Sequence, residues 1–225
     1  MNYLCLLIFL VAAYLLGSLN PAIIITKLVK GVDIRTLGTH NPGTSNVRRN
    51  LGIGWGILVL VLDIAKGLIP VIVAKQICFP ENNFSHFSAL ILISIAAITG
   101  HCKPLWYNFR GGGGIATSIG ILLYFIPVEF FISMLLGFIS SQIFFSRKKY
   151  SITQITPMIF VPLTPVITFL SSLLKPAKIF SNLTFGGYPW YMITGIFAIS
   201  LLIFFFNLGF VTRRITKDDT IHNEP

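Results

Sequence analysis

The residues of this sequence that could do chemistry gather in two polar stretches, one pair of charges inside an apolar run, and one basic segment. The first stretch, Gly38-Thr39-His40-Asn41-Pro42-Gly43-Thr44-Ser45-Asn46, is followed by Arg48 and Arg49. Almost every residue in it is small or carries a neutral hydrogen-bonding group. Backbone N–H groups, hydroxyls and amides of this kind can surround an anion, while a guanidinium adds charge and a fork that matches phosphate. A polar turn whose arginines only anchor the headgroup side of a membrane has the same composition, so both readings stand.

The second stretch runs from Gly100-His101-Cys102-Lys103-Pro104 through Asn108-Phe109-Arg110 into Gly111-Gly112-Gly113-Gly114, with Thr117 and Ser118 a turn later. Glycines opening an apolar helix leave the first-turn N–H groups bare and let a ligand approach the backbone, which favours phosphate; the same glycines would also make a hinge. Arg110 beside them strengthens the phosphate reading. No Gly-Lys-Ser/Thr ending follows, which excludes a nucleotide P-loop. His101 reads either as a hydrogen-bonded boundary anchor or as a contact to the reacting groups. Asp63 and Lys66, three apart on one helical face, lie in an apolar run, where charges are costly and face a polar interior. They are expected to pair with each other or with loop polar groups, either bracing the site from behind or as a purely structural pair with no part in ligand binding; both readings stand. Arg147-Lys148-Lys149-Tyr150-Ser151 places hydroxyls beside a basic run; such a run is usually a topological anchor, and Ser151 is on the correct side to join the candidate phosphate ligands. Cys5, Cys78 and Cys102 are too scattered for a zinc site and read as packing residues, although a Cys5–Cys78 bridge fits if both lie on the outer side of a membrane.

These residues must be held by membrane-spanning elements. Of 225 residues 54% are hydrophobic and 11% charged, and the mean hydropathy is +0.81; an ordinary soluble domain carries about 25% charge. The net charge of +10 does not point to nucleic acid, because the basic residues form short clusters between apolar runs rather than one solvated face. Seven runs are long enough, or nearly so, to cross a bilayer: Tyr3 to Thr26, Ile53 to Ala74, Phe87 to Thr99, two sharing Gly114 to Phe145 with a break near Pro127, Ile152 to Leu174, and Trp190 to Val211. With the amino terminus outside, the inner loops hold Lys27, Lys30, Arg35, Arg48 and Arg49, then Lys103 and Arg110, then Arg147, Lys148 and Lys149, then Arg213, Arg214 and Lys217. The outer loops hold only Lys75, Lys175 and Lys178, as the positive-inside rule requires. The expected fold is therefore all-α and polytopic, with about seven transmembrane helices and a cytoplasmic carboxyl terminus.

From about Leu16 to Ser151 the sequence resembles the bacterial acyl-phosphate:glycerol-3-phosphate acyltransferase family. The resemblance rests on Gly17-Ser18, Val32-Asp33-Ile34-Arg35, Gly38 to Val47, Arg49, Leu51-Gly52, Asp63 to Gly67, Gly100-His101, Pro104 and Phe109 to Gly114. It implies a single membrane domain over residues 1–225 in the bacterial inner membrane, with cytoplasmic active-site loops and the family's seven-span, amino-terminus-out architecture. The implied activity is transfer of an acyl chain from acyl phosphate to glycerol 3-phosphate or a related phosphorylated alcohol, giving lysophosphatidate. No metal, cofactor or nucleic acid is implied. By resemblance Arg49 holds the phosphate of glycerol 3-phosphate, Thr39, Asn41, Ser45 and Asn46 shape the first-loop pocket, Gly111, Gly112, Gly113 and Gly114 cradle the acyl phosphate, and Ser151 lies near a phosphate-contacting serine.

The sequence also departs from the family pattern. Gly113 stands where the family has a lysine, Arg110 where it has another, and His40 where it usually has glycine. The stretch Phe206-Asn207-Leu208-Gly209-Phe210-Val211-Thr212-Arg213-Arg214-Ile215, which corresponds to the family's closing His-x-x-Asn motif, has no histidine and no asparagine at those two places. The chemistry asks for positioning and charge rather than a nucleophile triad, since phosphate is a good leaving group. Two further classes stay open: a catalytically silent paralogue that binds a lipid phosphate and regulates or scaffolds phospholipid synthesis, and a transporter, against which the lack of two related halves speaks.

Overall fold

The first apolar run breaks in the middle. Helix α1 (Tyr3–Ser18) is capped by Asn2, whose side chain accepts from the Cys5 N–H, and ends at Leu19. Helix α2 (Pro21–Lys30) begins on Asn20, whose side chain accepts from the Ile23 N–H at 3.1 Å, with Pro21 in its first turn. An Asn cap followed by Pro is a helix start. The single span expected over Tyr3 to Thr26 is thus two helices in a row, together 28 residues from Tyr3 to Lys30.

The computed structural model describes the backbone of residues 2–145, 152–174, 177–180, 183–185 and 187–221, and side chains within 2–144, 156–174 and 187–207. After α2 come a 3-10 turn (Ile34–Thr36), α3 (Thr44–Leu51), α4 (Ile53–Ile77), α5 (Phe84–Cys102), a second 3-10 turn (Leu105–Tyr107), α6 (Ile115–Phe125) and α7 (Pro127–Phe145). Then follow α8 (Ile152–Ser172), the antiparallel hairpin β1 (Ala177–Phe180) and β2 (Leu183–Phe185), and α9 (Trp190–Ile221). This hairpin is a small departure from the all-helical expectation. The run from Gly114 to Phe145 does split before Pro127, and α5 extends beyond both ends of the expected Phe87 to Thr99. Among the described residues five segments can cross a membrane by length and composition, and the apolar helices Ile115–Phe125 and Thr156–Ser172 are shorter. The protein is a helical, multi-pass membrane protein.

Small residues let the helices approach, as they do where lipid gives no hydrophobic drive for helix association. A Cβ on Gly17 of α1 would overlap the Ala97 carbonyl of α5, and one on Gly100 would overlap the Tyr14 carbonyl. Gly67 of α4 lies as close to the Thr117 carbonyl of α6, and Gly120 of α6 to the Ile64 carbonyl. Around these crossings the main core holds Ile93, Ile98, Ile121, Phe130, Ile196 and Ile199, while Ile23, Ile34, Val47 and Val59 form a smaller core beneath the first polar loop. Leu7, Ile57, Leu135 and Phe205 stay exposed on the outer faces, where acyl chains would cover them.

Cys5 and Cys78 form a disulfide that ties α1 to the end of α4, with Cα atoms 6.4 Å apart, so the bridge, not simple packing, describes them; Cys102 is free and buried. Glu129, in the first turn of α7, is fully buried and accepts from the Tyr188 hydroxyl at 2.9 Å, which joins the segment after the hairpin to α7.

Candidate functional site

Asn46 organises the first polar loop. It is 2% exposed, and its Nδ2 lies 2.9 to 3.1 Å from the carbonyls of Ile34, Leu37 and Asn41. Its Oδ1 accepts from the Thr39 N–H at 3.1 Å and from Asn50 Nδ2 at 3.0 Å. Gly38, at φ +51°, passes so close that a Cβ would stand 2.5 Å from Asn46 Oδ1. One amide therefore folds the turn that presents Thr39 and Asn41, and its own polar atoms are committed to the loop. Asn41 Oδ1 and Thr44 Oγ1, by contrast, are buried without a hydrogen-bond partner among the described residues. Ser45 is half-buried in the first turn of α3, and Arg49 is exposed near its end.

Arg35 joins the two loops. Its Nη1 donates to the carbonyls of Tyr107 and Arg110, each at 3.1 Å, while Nε and Nη2 engage the carboxylate of Asp33 at 2.7 to 3.1 Å. The guanidinium also lies 5.7 Å from the centre of the Tyr107 ring. Hydrogen bonds from Arg35 hold the Asp33 carboxyl below the usual carboxylate range, against a smaller opposing effect of burial. The sequence marks Asp33 and Arg35 only by family resemblance; the bridge they build spans 72 to 75 residues, a distance that local pattern does not carry.

Beneath the second loop lies a buried charge cluster. Lys66 Nζ is 2.8 Å from Asp63 Oδ1 and donates to the Leu19 carbonyl at 2.8 Å, in the gap between α1 and α2. His101 Nδ1 is 3.4 Å from the same Asp63 oxygen. Asp63, Lys66 and His101 are 1%, 5% and 3% exposed. The expected Asp63–Lys66 pair is present, and it also occupies the carbonyl that the helix break would leave unpaired. His101 faces the glycines from behind: Gly112 N–H donates to its carbonyl at 3.2 Å, and a Cβ on Gly112 would collide with its Nε2. The Gly111 N–H donates to the Cys102 carbonyl at 3.2 Å.

Past that point the loop's donors are open. Gly113 and Gly114 are buried, yet no acceptor among the described residues takes either N–H, and the ladder of α6 begins only with Ser118 N–H to Gly114 O at 2.9 Å. Buried backbone donors without partners are rare in folded chains. Thr117 Oγ1, fully buried a turn later, also lacks a partner among the described residues. Arg110 is exposed immediately before the glycines. From the far side Asn207 of α9 donates to the Gly113 carbonyl at 2.8 Å. It also lines an apolar crevice with Ile115, Met158, Val161 and Ile203.

The structure thus brings Thr39, Asn41, Asn46, His101, Gly111, Gly112 and Gly114 into two loops joined by Arg35, with Asp63 and Lys66 below. Ser151, Arg147, Lys148 and Lys149 lie outside the described residues. Pattern reasoning missed Arg35 and Asn207 as links between segments. Among the described residues no group of three or more His, Cys, Asp and Glu side chains gathers as metal ligands would.

The family model Glycerol-3-phosphate acyltransferase matches residues 7–208. The glycerol-3-phosphate acyltransferase of Mycoplasma mycoides subsp. mycoides SC is 34% identical over 171 residues, 76% of this chain and 65% of that protein. The one from Halalkalibacterium halodurans is 46% identical over 118 residues, 52% of this chain and 55% of that protein. The Fusobacterium nucleatum protein of the same name is 33% identical over 166 residues, 74% of this chain and 81% of its own. The matches therefore span just under two thirds, about half and four fifths of these relatives' lengths. Among solved structures, PlsY (YgiH), an integral membrane glycerol 3-phosphate acyltransferase in its glycerol 3-phosphate form, superposes with a TM-score of 0.72 at 28% identity, covering 94% of this chain and 92% of that one. Its lysophosphatidic acid form gives a TM-score of 0.71. By sequence match and by fold, this chain belongs to the glycerol-3-phosphate acyltransferase family.

Proposed function

We propose that the two loops form a site where an acyl chain passes from acyl phosphate to a hydroxyl of glycerol 3-phosphate, giving lysophosphatidate and phosphate. The observation that carries this reading is the pair of N–H groups of the buried residues Gly113 and Gly114, which no described residue accepts, at the mouth of α6 and beside Arg110. A phosphate there would complete them, favoured by the positive end of the helix dipole. The relatives' names, and the two ligand forms in which PlsY was solved, support glycerol 3-phosphate as acceptor and lysophosphatidate as product.

In this scheme Gly111, Gly112 and Gly114 let the acyl phosphate approach the backbone, and Arg110 neutralises it from the rim. Arg49 holds the phosphate of glycerol 3-phosphate, with Thr39, Asn41 and Ser45 around the glycerol hydroxyls and Ser151 as a further phosphate contact. Asn46 shapes that pocket as the loop's frame. The acceptor oxygen bonds to the acyl carbon, the bond from that carbon to the phosphate oxygen breaks, and the hydroxyl proton ends on the released phosphate. Rate comes from alignment and charge neutralisation rather than from a covalent enzyme intermediate. His101, Asp63 and Lys66 hold the glycine loop from below. The apolar crevice beside Asn207 takes the start of the acyl chain. We place the chain as one domain, 1–225, in the bacterial inner membrane, with about seven spans, the amino terminus outside and the loops cytoplasmic.

A specific observation favours a second reading, a silent phosphate-binding paralogue: the place of a side chain at Gly113 is filled by the amide of Asn207, not by a cation. The test supplies palmitoyl phosphate to the purified protein in lipid, with and without glycerol 3-phosphate. Acceptor-dependent phosphate release that disappears in Arg49→Ala, with the melting profile unchanged, is expected. Bound acyl phosphate with no release overturns the enzyme and supports the silent paralogue.

A further inference from the structure

Asn207 lies 94 positions after Gly113, and its Nδ2 donates at 2.8 Å both to the Gly113 carbonyl and to the Ile203 carbonyl one turn back in α9. Both amide hydrogens are thereby used, one to fix the side chain on its own helix and one to hold the loop. A Cβ built on Gly113 would lie 2.5 Å from Asn207 Oδ1. The absence of a side chain at 113 is what admits the amide.

The consequence follows from peptide planarity. In a trans peptide the carbonyl of one residue and the N–H of the next point in opposite directions. Holding the Gly113 carbonyl towards α9 turns the Gly114 N–H away from α9, into the buried space where no described acceptor takes it. Glycine rotates its peptide planes at little cost, so an untethered loop would let this unit flip and set a carbonyl oxygen where a phosphate oxygen has to lie. We infer that Asn207 is a positioning residue for the anion site: it locks the Gly113–Gly114 peptide with its N–H facing the acyl phosphate. Gly113 and Asn207 form a matched pair, one making the room that the other fills. This rests on the acyl-phosphate reading of the glycine loop.

The test separates acyl-phosphate recognition from glycerol 3-phosphate recognition and from folding. Asn207→Leu removes the donor, and Asn207→Asp keeps the shape but sets an acceptor against the Gly113 carbonyl. Each is expected to raise KM for palmitoyl phosphate about tenfold, the worth of one hydrogen bond to a loop carbonyl, while KM for glycerol 3-phosphate changes less than about twofold. Gly113→Ala is expected to impair the wild-type protein and to add little in the Asn207→Ala background, where the atom it collides with is gone. Binding of a non-hydrolysable acyl phosphonate, read as a shift in melting temperature, runs in parallel. Wild-type protein that binds the phosphonate without turnover refutes the transferase reading alone, and the tenfold loss of binding in the Asn207 variants then still supports the clasp. Equal effects on both KM values, additive Gly113 and Asn207 losses, or phosphonate binding that is absent in the wild type or unchanged in the variants, overturn it.

Discussion

Replacing Asp63 with Asn should unfold this protein more readily than replacing Lys66 with Met, although the two residues form one ion pair. Asp63 and Lys66 are 1% and 5% exposed, so breaking their pair leaves a charge that water does not reach. Such a loss costs about 3–5 kcal/mol, a large part of a typical folding stability of about 5–15 kcal/mol. The partners that remain differ between the two variants. In Asp63→Asn the Lys66 ammonium keeps only neutral acceptors, the Leu19 carbonyl at 2.8 Å among them. In Lys66→Met the carboxylate keeps the imidazole of His101 at 3.4 Å, which can carry the balancing charge. Asp63→Asn should therefore cost about 3–5 kcal/mol and Lys66→Met about 1–2 kcal/mol. The double variant should recover at least half of the Asp63→Asn loss, because no charge then remains to be balanced. Equilibrium unfolding in mixed detergent micelles, followed by tryptophan fluorescence, reads all three. Lys66→Met costing as much as Asp63→Asn, or a double variant equal to the sum of the singles, would refute the reasoning.

Arg35→Lys loses the fork to Asp33 and the bonds to the Tyr107 and Arg110 carbonyls, so amide hydrogen exchange in residues 105–111 should quicken severalfold while α4 and α5 stay protected. Because the Asp33 carboxyl is held low by Arg35, the pair contributes in full at neutral pH and is lost as pH falls from the ordinary carboxylate range through the lowered one. With side chains 27% and 30% exposed, it is worth about 0.2–1 kcal/mol, which an Asp33→Asn comparison at pH 7 and at pH 3 would show as a difference that vanishes in acid. Gly67→Val drives a branched side chain into the Thr117 carbonyl and should cost about 3 kcal/mol; an unchanged melting temperature would contradict the α4–α6 contact.

What could be read in advance follows physical range. Asp63 and Lys66 were legible because an i, i+3 pair of charges inside an apolar run has few alternatives, and Pro127 was legible as the break between α6 and α7 because proline ends a helix locally. The break at Leu19 and Asn20 was passed over because apolar residues resume at once in Ala22-Ile23-Ile24-Ile25, although Gly17-Ser18 and Asn20-Pro21 carry local stop and start signals. Asn46 illustrates a deeper limit: an amide that frames a loop and an amide that binds a ligand are the same residue type in the same kind of segment, and only the carbonyls of Ile34, Leu37 and Asn41 around it tell them apart. Arg35 and Asn207 act across 72 to 94 positions, where pairing depends on how the helices pack. Cys5 and Cys78 could be matched only by supposing a common side of the membrane, because their 73 positions of separation carry no local signal.

The most direct test of the acyl-phosphate account is a stoichiometry. Purified protein in lipid is given radiolabelled glycerol 3-phosphate with palmitoyl phosphate, or with palmitoyl coenzyme A at the same concentration, and labelled lysophosphatidate and free phosphate are counted together. The account predicts one lysophosphatidate per phosphate released from palmitoyl phosphate and no product from the thioester. Product from the thioester alone, or phosphate release without labelled lysophosphatidate, would contradict it.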